Sequence, residues 1–536
     1  MTYNTGTATD YLDLLEDLVA VMTSRHLDEI AINAAGTGYV AGEVLGIDGT
    51  GATSTHVAQI EVLTVGGSGE ITSARIYRGG AYTVDPTTTT GNSASGGSGS
   101  SATFDLTFAA TGWSVLTRNE ELDTVDSVAA GGSGYSVSDV LTLQGGVLAE
   151  GGAAATLTVS SVSSGAVTGV TITTRGEYEV FPTDPVGVSG GGGSGATFNL
   201  TPRNVTGDTI VVLEGDAGAD DDPLVGIKTY SSETDETGVN TCYNWALFGM
   251  TSWGNLLRLD EQPNISPGFN LSAGDGTLTT SSSGDGAFVP LKTSDAFNID
   301  YWISATGRRV VMIARVEGAA TVYYAQASFG LLNQLGLTTE FPYPAYVAGS
   351  SDRKRVWYRD TLSLWGGLSD VIQRANGPFF VWAPEGAWLN AVAGDIASQQ
   401  DLTVDYDADG TSPRCGVWPL GALSSSPSND DLLFSIAPST GFDNEDLTLS
   451  SGAIAIYRTP DTGGDLFPLY PVTVMQADGA SSFWRIFGEL DGVFWFHVAD
   501  SGASSEDRIE QSSDAYFVSQ NGTRVEDWSY LALRED

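Results

Sequence analysis

Apolar residues fall at helical spacing over one short stretch near the start of the chain. Tyr11, Leu14, Leu15, Leu18, Val21 and Met22 recur every three or four positions, with Asp13, Glu16 and Asp17 between them. This pattern predicts an amphipathic helix over residues 9–23, and Thr9 or Asp10 is placed to cap its first turn. A helix this short is marginal in water by itself, so its apolar stripe must bury against something. Two covers are open: the chain's own next domain, or copies of the chain and a larger assembly. In the second case the same six residues form an intermolecular interface and residues 1–28 act as an anchoring and oligomerisation element.

Elsewhere the period is two. Segments such as ATLTVSSV from Ala155 and AVTGVTITT from Ala166 alternate apolar and polar residues, as half-buried strands do. Gly-rich clusters separate them and supply turns. One phrase occurs twice. AAGTGYVAGEVL begins at Ala34 and AAGGSGYSVSDVL at Ala129, so that Gly38-Tyr39 returns 96 residues on as Gly134-Tyr135. Glu43-Val44-Leu45 meets Asp139-Val140-Leu141, Tyr82 meets Tyr178, Pro86 meets Pro182, and Ala102-Thr103-Phe104 meets Ala196-Thr197-Phe198. Self-similarity over that span predicts two tandem β-modules, at 29–110 and 111–204, strung like beads. The glycine runs at 91–102 and 189–196 precede ATF in both copies, so they read as loops inside each module. No Lys-Ser/Thr follows them and neither opens a helix, which argues against phosphate binding.

From about Val205 aromatic residues become frequent, among them Tyr243, Trp245, Trp253, Tyr301, Trp302, Tyr323 and Tyr324. RRVVMIARV (308–316) and TVYYAQASF (321–329), separated by EGAA, predict a hairpin. The whole reads as mainly β: a short N-terminal α-helix, two tandem β-modules, then a larger aromatic-rich β-sandwich-like domain over 205–536.

Charge narrows the function classes. The 536 residues carry 66 Asp and Glu against 23 Lys and Arg, a net charge of −43. Such a surface repels phosphate backbones and anionic membranes, so nucleic acid is not an expected partner. No apolar run approaches the roughly 20 residues that span a bilayer. The opening residues lack the basic start of a secretory signal, so the expectation is a chain that needs no classical leader. Two cysteines, Cys242 and Cys415, exclude a disulfide-rich scaffold.

Candidate chemistry is sparse. His26, His56 and His497 form no HExxH or His cluster, which disfavours zinc. His497, in FWFHVAD, reads as a packed strand residue rather than the base of a catalytic triad. No spacing singles out a carboxylate pair for glycoside hydrolysis among the 66 acids. The acidic run Asp405-Tyr406-Asp407-Ala408-Asp409-Gly410 matches the opening of a calcium loop. Asp405, Asp407 and Asp409 would supply hard oxygens and Gly410 the sharp turn. Gly416 stands where the closing bidentate Glu belongs, so the expectation is at most a looser Ca2+ site in a β-loop, against a plain solvated turn. These readings give no catalytic residue, and the expectation is that the chain is not an enzyme.

DETGVNTCYNWALFGMTSW (235–253), residues 298–351 with the PYP phrase at 342–344, and SSFWRIFGELDGVFWFHVAD (481–500) resemble the C-terminal region of a group of structural proteins of tailed bacteriophages. The Gly-rich modules resemble those of phage fibre-like and collar proteins. The resemblance implies a virion component: a spike or fibre of the collar, neck or tail, made in the host cytoplasm, with the helix as anchor. It implies other virion proteins as partners and self-association as a homotrimer. Two other readings remain open. One is a receptor-binding protein that binds or depolymerises host-surface carbohydrate; the other is a bacterial surface adhesin, which the absent leader and anchor disfavour.

Overall fold

The computed structural model describes residues 2–47, 49, 51–149, 151–218, 222–234, 241–266, 286–292, 298–317, 322–335, 343–350, 379–383, 386–393, 415–418, 469–477, 484–497, 504–511, 514–520 and 529–535. The protein is mainly β, as the alternation predicts, with one α-helix, Tyr11–Thr23, among the described residues. Asp10 is the N-cap: its carboxylate accepts from the backbone N–H of Leu12 and Asp13, both at 2.8 Å. Asp13 reaches back to the N–H of Thr9 at 2.8 Å. Two donors that the first turn leaves unsatisfied are thereby paired.

The large body has two sheets. One is antiparallel with five strands, in the order Ser114–Arg118, Ile210–Glu214, Leu224–Thr234, Thr241–Met250 and Ala287–Lys292. The other has thirteen strands. It starts at Thr2–Ala8, runs through Ile299–Ala305, Arg309–Glu317 and Val322–Leu331, and ends with Ser529–Arg534, Asp514–Gln520 and Arg508–Gln511. Arg309–Glu317 and Val322–Leu331 pair antiparallel, as their sequence predicts.

Alternate residues of Arg309–Glu317 enter two different cores. Val310, Met312 and Ala314 face the five-stranded sheet, packing with Val211, Ile227 and Trp245. Val311 and Ile313 face a second core, built with Val472, Val474, Leu531 and Leu533 from the far end of the same long sheet. The long sheet therefore folds over on itself, and Trp302 stacks on Phe517 at 4.4 Å between ring centroids. A strand apolar on both faces is what a middle layer requires, so the body is a three-layer β stack.

The helix closes the first of these cores. Leu14, Leu15, Leu18, Val21 and Met22 are fully buried there and Tyr11 is 6 % exposed. Trp245 donates its indole N–H to the Tyr11 carbonyl at 3.0 Å, and the Tyr11 hydroxyl donates to Asp208. Burying such side chains stabilises by about 1.5–3 kcal/mol each, far more than helix propensity supplies. Of the two covers that the stripe left open, the chain itself provides one. Tyr11, Leu14, Leu15, Leu18, Val21 and Met22 are thus an intramolecular interface, which corrects their reading as an oligomerisation surface. Residues 1–28 are likewise no free-standing anchor, because Thr2–Ala8 pairs along its whole length with Ile299–Ala305.

The modules are not beads ahead of the body. Module 1 runs from Arg25–Thr37 to Ser100–Ala110 and module 2 from Glu120–Ser133 to Ser194–Asn204. Between them Ser114–Arg118 returns to the five-stranded sheet, pairing with Ile210–Glu214. Trp113 is buried in the body core and donates to the Thr306 carbonyl at 2.6 Å. Both modules are therefore insertions, each leaving the body and rejoining it.

Candidate functional surfaces at the module seams

Inside, the two modules are the same object. Leu27, Tyr39, Leu45, Ile60, Tyr82 and Phe104 of module 1 occupy the places of Leu122, Tyr135, Leu141, Leu157, Tyr178 and Phe198 of module 2, all buried. The Tyr82 and Tyr178 hydroxyls accept the N–H of Ala58 and Ala155, each at 2.8 Å. The glycine runs are loops within the modules, as expected. Glu43 holds the first through the Ser98 N–H at 2.9 Å, and Asp139 holds the second through the Gly192 N–H at 3.1 Å. Gly99 and Gly193 are required there, since a Cβ would stand 2.4 and 2.5 Å from the rings of Tyr39 and Tyr135.

The seams differ. Module 1 meets the body through charge and a hydrogen-bond relay. Arg75 donates twice to Glu61, at 2.8 and 2.9 Å, and once to Glu510 at 2.6 Å. Arg508 donates to Glu61 at 2.9 Å and to Glu535 at 2.7 Å, with its guanidinium 5.0 Å above the Tyr77 ring. Burial pushes the Glu61 carboxyl up, but the hydrogen bonds and charges of Arg75 and Arg508 outweigh it and hold the group below its ordinary value. Nearby, His56 Nε2 lies 2.6 Å from the Tyr301 hydroxyl, which donates to Asp17 at 2.7 Å. With the tyrosine O–H directed at Asp17, His56 Nε2–H is the donor to the tyrosine oxygen. Burial lowers the affinity of His56 for a second proton and raises the pKa values of Asp17 and Tyr301. The relay joins module 1, the long sheet and the helix. Gly6 makes room for it, since a Cβ there would sit 2.3 Å from the Tyr301 oxygen.

Module 2 meets the body through a buried carboxylate. Glu179 is 1 % exposed and accepts the Leu259 N–H at 2.9 Å. The Thr117 hydroxyl donates to the Glu179 carbonyl, and Asn119 donates to Glu177 at 3.2 Å. Burial pushes the Glu179 carboxyl up to about 7; the Leu259 hydrogen bond and the charges of Arg258 and Lys228 oppose that shift, and Asp260 adds to it.

The sequence signals for chemistry fare unevenly. Asp405, Asp407 and Asp409 lie outside the described residues. No group of three or more His, Cys, Asp or Glu side chains among the described residues is placed to hold a metal ion. His26 is buried at the root of module 1, and burial lowers its pKa to about 4. His497 ends the strand Trp484–His497, opposite Ser529. Cys242 and Cys415 stand on strands of different sheets. Neither the relay nor the Glu61–Arg508 network could be read from sequence, because their members lie 284 and 447 positions apart.

No protein-family model matches this chain, and no curated protein matches it. No helix among the described residues is long and apolar enough to cross a membrane.

Proposed function

We propose that this chain is a structural component of a tailed-phage virion, a projection of the collar, neck or tail. The observation that carries the reading is the duplication itself, set on one body. Here two interiors match position by position while the exteriors differ at the seams. That is the pattern of a building part used twice and fitted to two neighbours. The phrases at 235–253, 298–351 and 481–500 support the same reading by their resemblance to phage structural proteins, and the acidity suits a surface that must stay dispersed at high copy number. Attachment through the helix stripe is no part of this proposal, since that stripe is covered.

The test is to purify phage particles from a lysate whose phage encodes this chain and to locate it with an antibody by electron microscopy. Regular labelling at the collar, neck or tail supports the reading, and particles free of the chain overturn it. Added host-surface polysaccharide is the control for the alternative: shortened chains or retained protein would move the chain to the receptor-binding class.

A further inference from the structure

We infer that module 2 is a proton-latched arm: it closes on the body when the carboxyl groups at its root carry protons, and swings away about its two crossing strands when they lose them. The seam is thin. Among the described residues, none between 120 and 204 belongs to an apolar core of the body, whereas module 1 lends Ala81 to the core that the helix closes. Module 2 leaves the five-stranded sheet at Asn119 and returns at Val205, where the Val205 N–H donates to the Asn119 carbonyl at 3.2 Å. Two backbone crossings side by side at element ends have the form of a hinge. Beyond that hinge, Leu259 and Thr117 of the body donate to Glu179, and Asn119 donates to Glu177.

This seam has acceptors in excess of donors. Glu179 is 1 % exposed, and the cations around it are engaged elsewhere: Arg258 pairs with Asp260 at 2.8 Å, and the Lys228 ammonium lies 5.0 Å over the Tyr230 ring. Glu177 takes the Asn119 N–H at 3.2 Å, while Arg203 is committed to Glu121 at 2.7 Å. Asn119 is 4 % exposed, and its side-chain oxygen is buried with no donor. A buried carboxylate without a cation is costly when ionised, and so is a buried acceptor without a donor. Protons on Glu177 and Glu179 remove the charge and add donors where the seam lacks them. Module 1 solves the same problem the other way. Arg75 and Arg508 both donate to Glu61 at 2.9 Å, so that carboxylate stays ionised and needs no proton.

The charges facing Glu179 are Arg258 and Asp260 from the turn and Lys228 from Leu224–Thr234; those around Glu177 are Glu121, Asp208 and Lys228. Burial outweighs them and raises Glu120, Glu177 and Glu179, the last to about 7. When the arm swings out, Glu179 returns toward the ordinary value of 4.5. The closed state therefore has its full advantage below pH 4.5 and loses it as pH rises through about 7. The inference does not depend on the virion reading, and it holds or fails in the purified protein.

The experiment is hydrogen exchange on the full chain at pH 5.5 and pH 8.5, corrected for the intrinsic pH dependence of exchange, with small-angle X-ray scattering at the same two values. At pH 8.5 the Leu259 amide should lose protection by about tenfold or more, and the radius of gyration should grow. The amides of Ala155 inside module 2 and Ala58 inside module 1 should keep their protection. Glu179→Gln keeps an acceptor for Leu259 and cannot ionise, so both readouts should be the same at the two pH values. Equal wild-type protection of Leu259 at both values overturns the inference. So does a loss that Ala155 shares, which is unfolding of the module, or a loss at constant radius, which is fraying of the Leu259 turn alone. A loss that persists in the folded variant overturns it as well. If Glu179→Gln misfolds, Glu177→Gln takes its place, with a reduced pH dependence expected and an undiminished one counting against the latch.

Discussion

Module 1 and module 2 share a core and a fold, yet one is riveted to the body by arginines and the other is held by a buried carboxylate and by hydrogen bonds from Thr117 and Asn119. The difference shows what a duplicated sequence conserves. Interior positions answer to packing, which is the same problem in both copies. Exterior positions answer to whatever lies opposite, and that differs. Module 1 faces Arg508, Glu510 and Glu535 of the long sheet. Module 2 faces Leu259 at the short 3-10 turn Leu259–Glu261, which lies over the outer core of the five-stranded sheet.

The sharpest way to break the comparison is to attack the shared core. Phe104→Ala and Phe198→Ala each remove a fully buried ring, and each should cost about 3–5 kcal/mol in denaturant unfolding. Costs that differ by more than the spread of repeat measurements would show that the matched interiors are not energetically alike. Next comes the charged seam. Arg508→Ala leaves Glu61 and Glu535 without their shared cation, at side-chain exposures of 12 % and 6 %. Breaking a buried pair in this way costs about 3–5 kcal/mol, less here where part of the network remains. Hydrogen exchange should accelerate in Ala58–Val65 and stay unchanged in Thr156–Ser163.

The carboxylate seam predicts a pH effect of opposite chemistry. Glu179 has its folded-state pKa raised above the ordinary glutamate value of 4.5, to about 7. Its contribution is therefore fully present below pH 4.5 and is lost as pH rises through about 7, a change of about 3 kcal/mol at most. Glu179→Gln keeps an acceptor for the Leu259 N–H and removes the titration. Its melting temperature should exceed that of the wild type at pH 8 and approach it at pH 4; equal melting at pH 8 would refute the assignment. His26 acts on the acid side, since its pKa is lowered to about 4. The stability it contributes is present above pH 6.5 and falls away as pH drops through that value toward 4. The smallest effect belongs to the loop pins. Glu43→Ala should speed exchange at the Ser98 amide and Asp139→Ala at the Gly192 amide, with no global loss of stability.

Much of this molecule was legible in its sequence. The helix, its cap region and its buried stripe follow from spacing between Thr9 and Thr23, and the two modules follow from the Gly-Tyr phrases and their 96-residue offset. The hairpin around EGAA and the placement of both glycine runs inside the modules were readable for the same reason, because each is local or repeated. The partner of the helix was not. A stripe of Leu and Val reports that it must be covered and carries no information on what covers it, since the hydrophobic effect is non-directional.

The insertion of both modules into one body was equally hidden. Ser114–Arg118 is five residues long, and only pairing with Ile210–Glu214 across almost a hundred positions shows that the chain returns there. The relay of His56, Tyr301 and Asp17 and the network around Arg508 depend on the same long-range closure. What the sequence by itself determined was each local element and the fact of duplication, because periodicity and repetition are written residue by residue. What only the tertiary structure decided was which surfaces meet, because burial and charge pairing are properties of neighbours that the chain brings together only after it has folded.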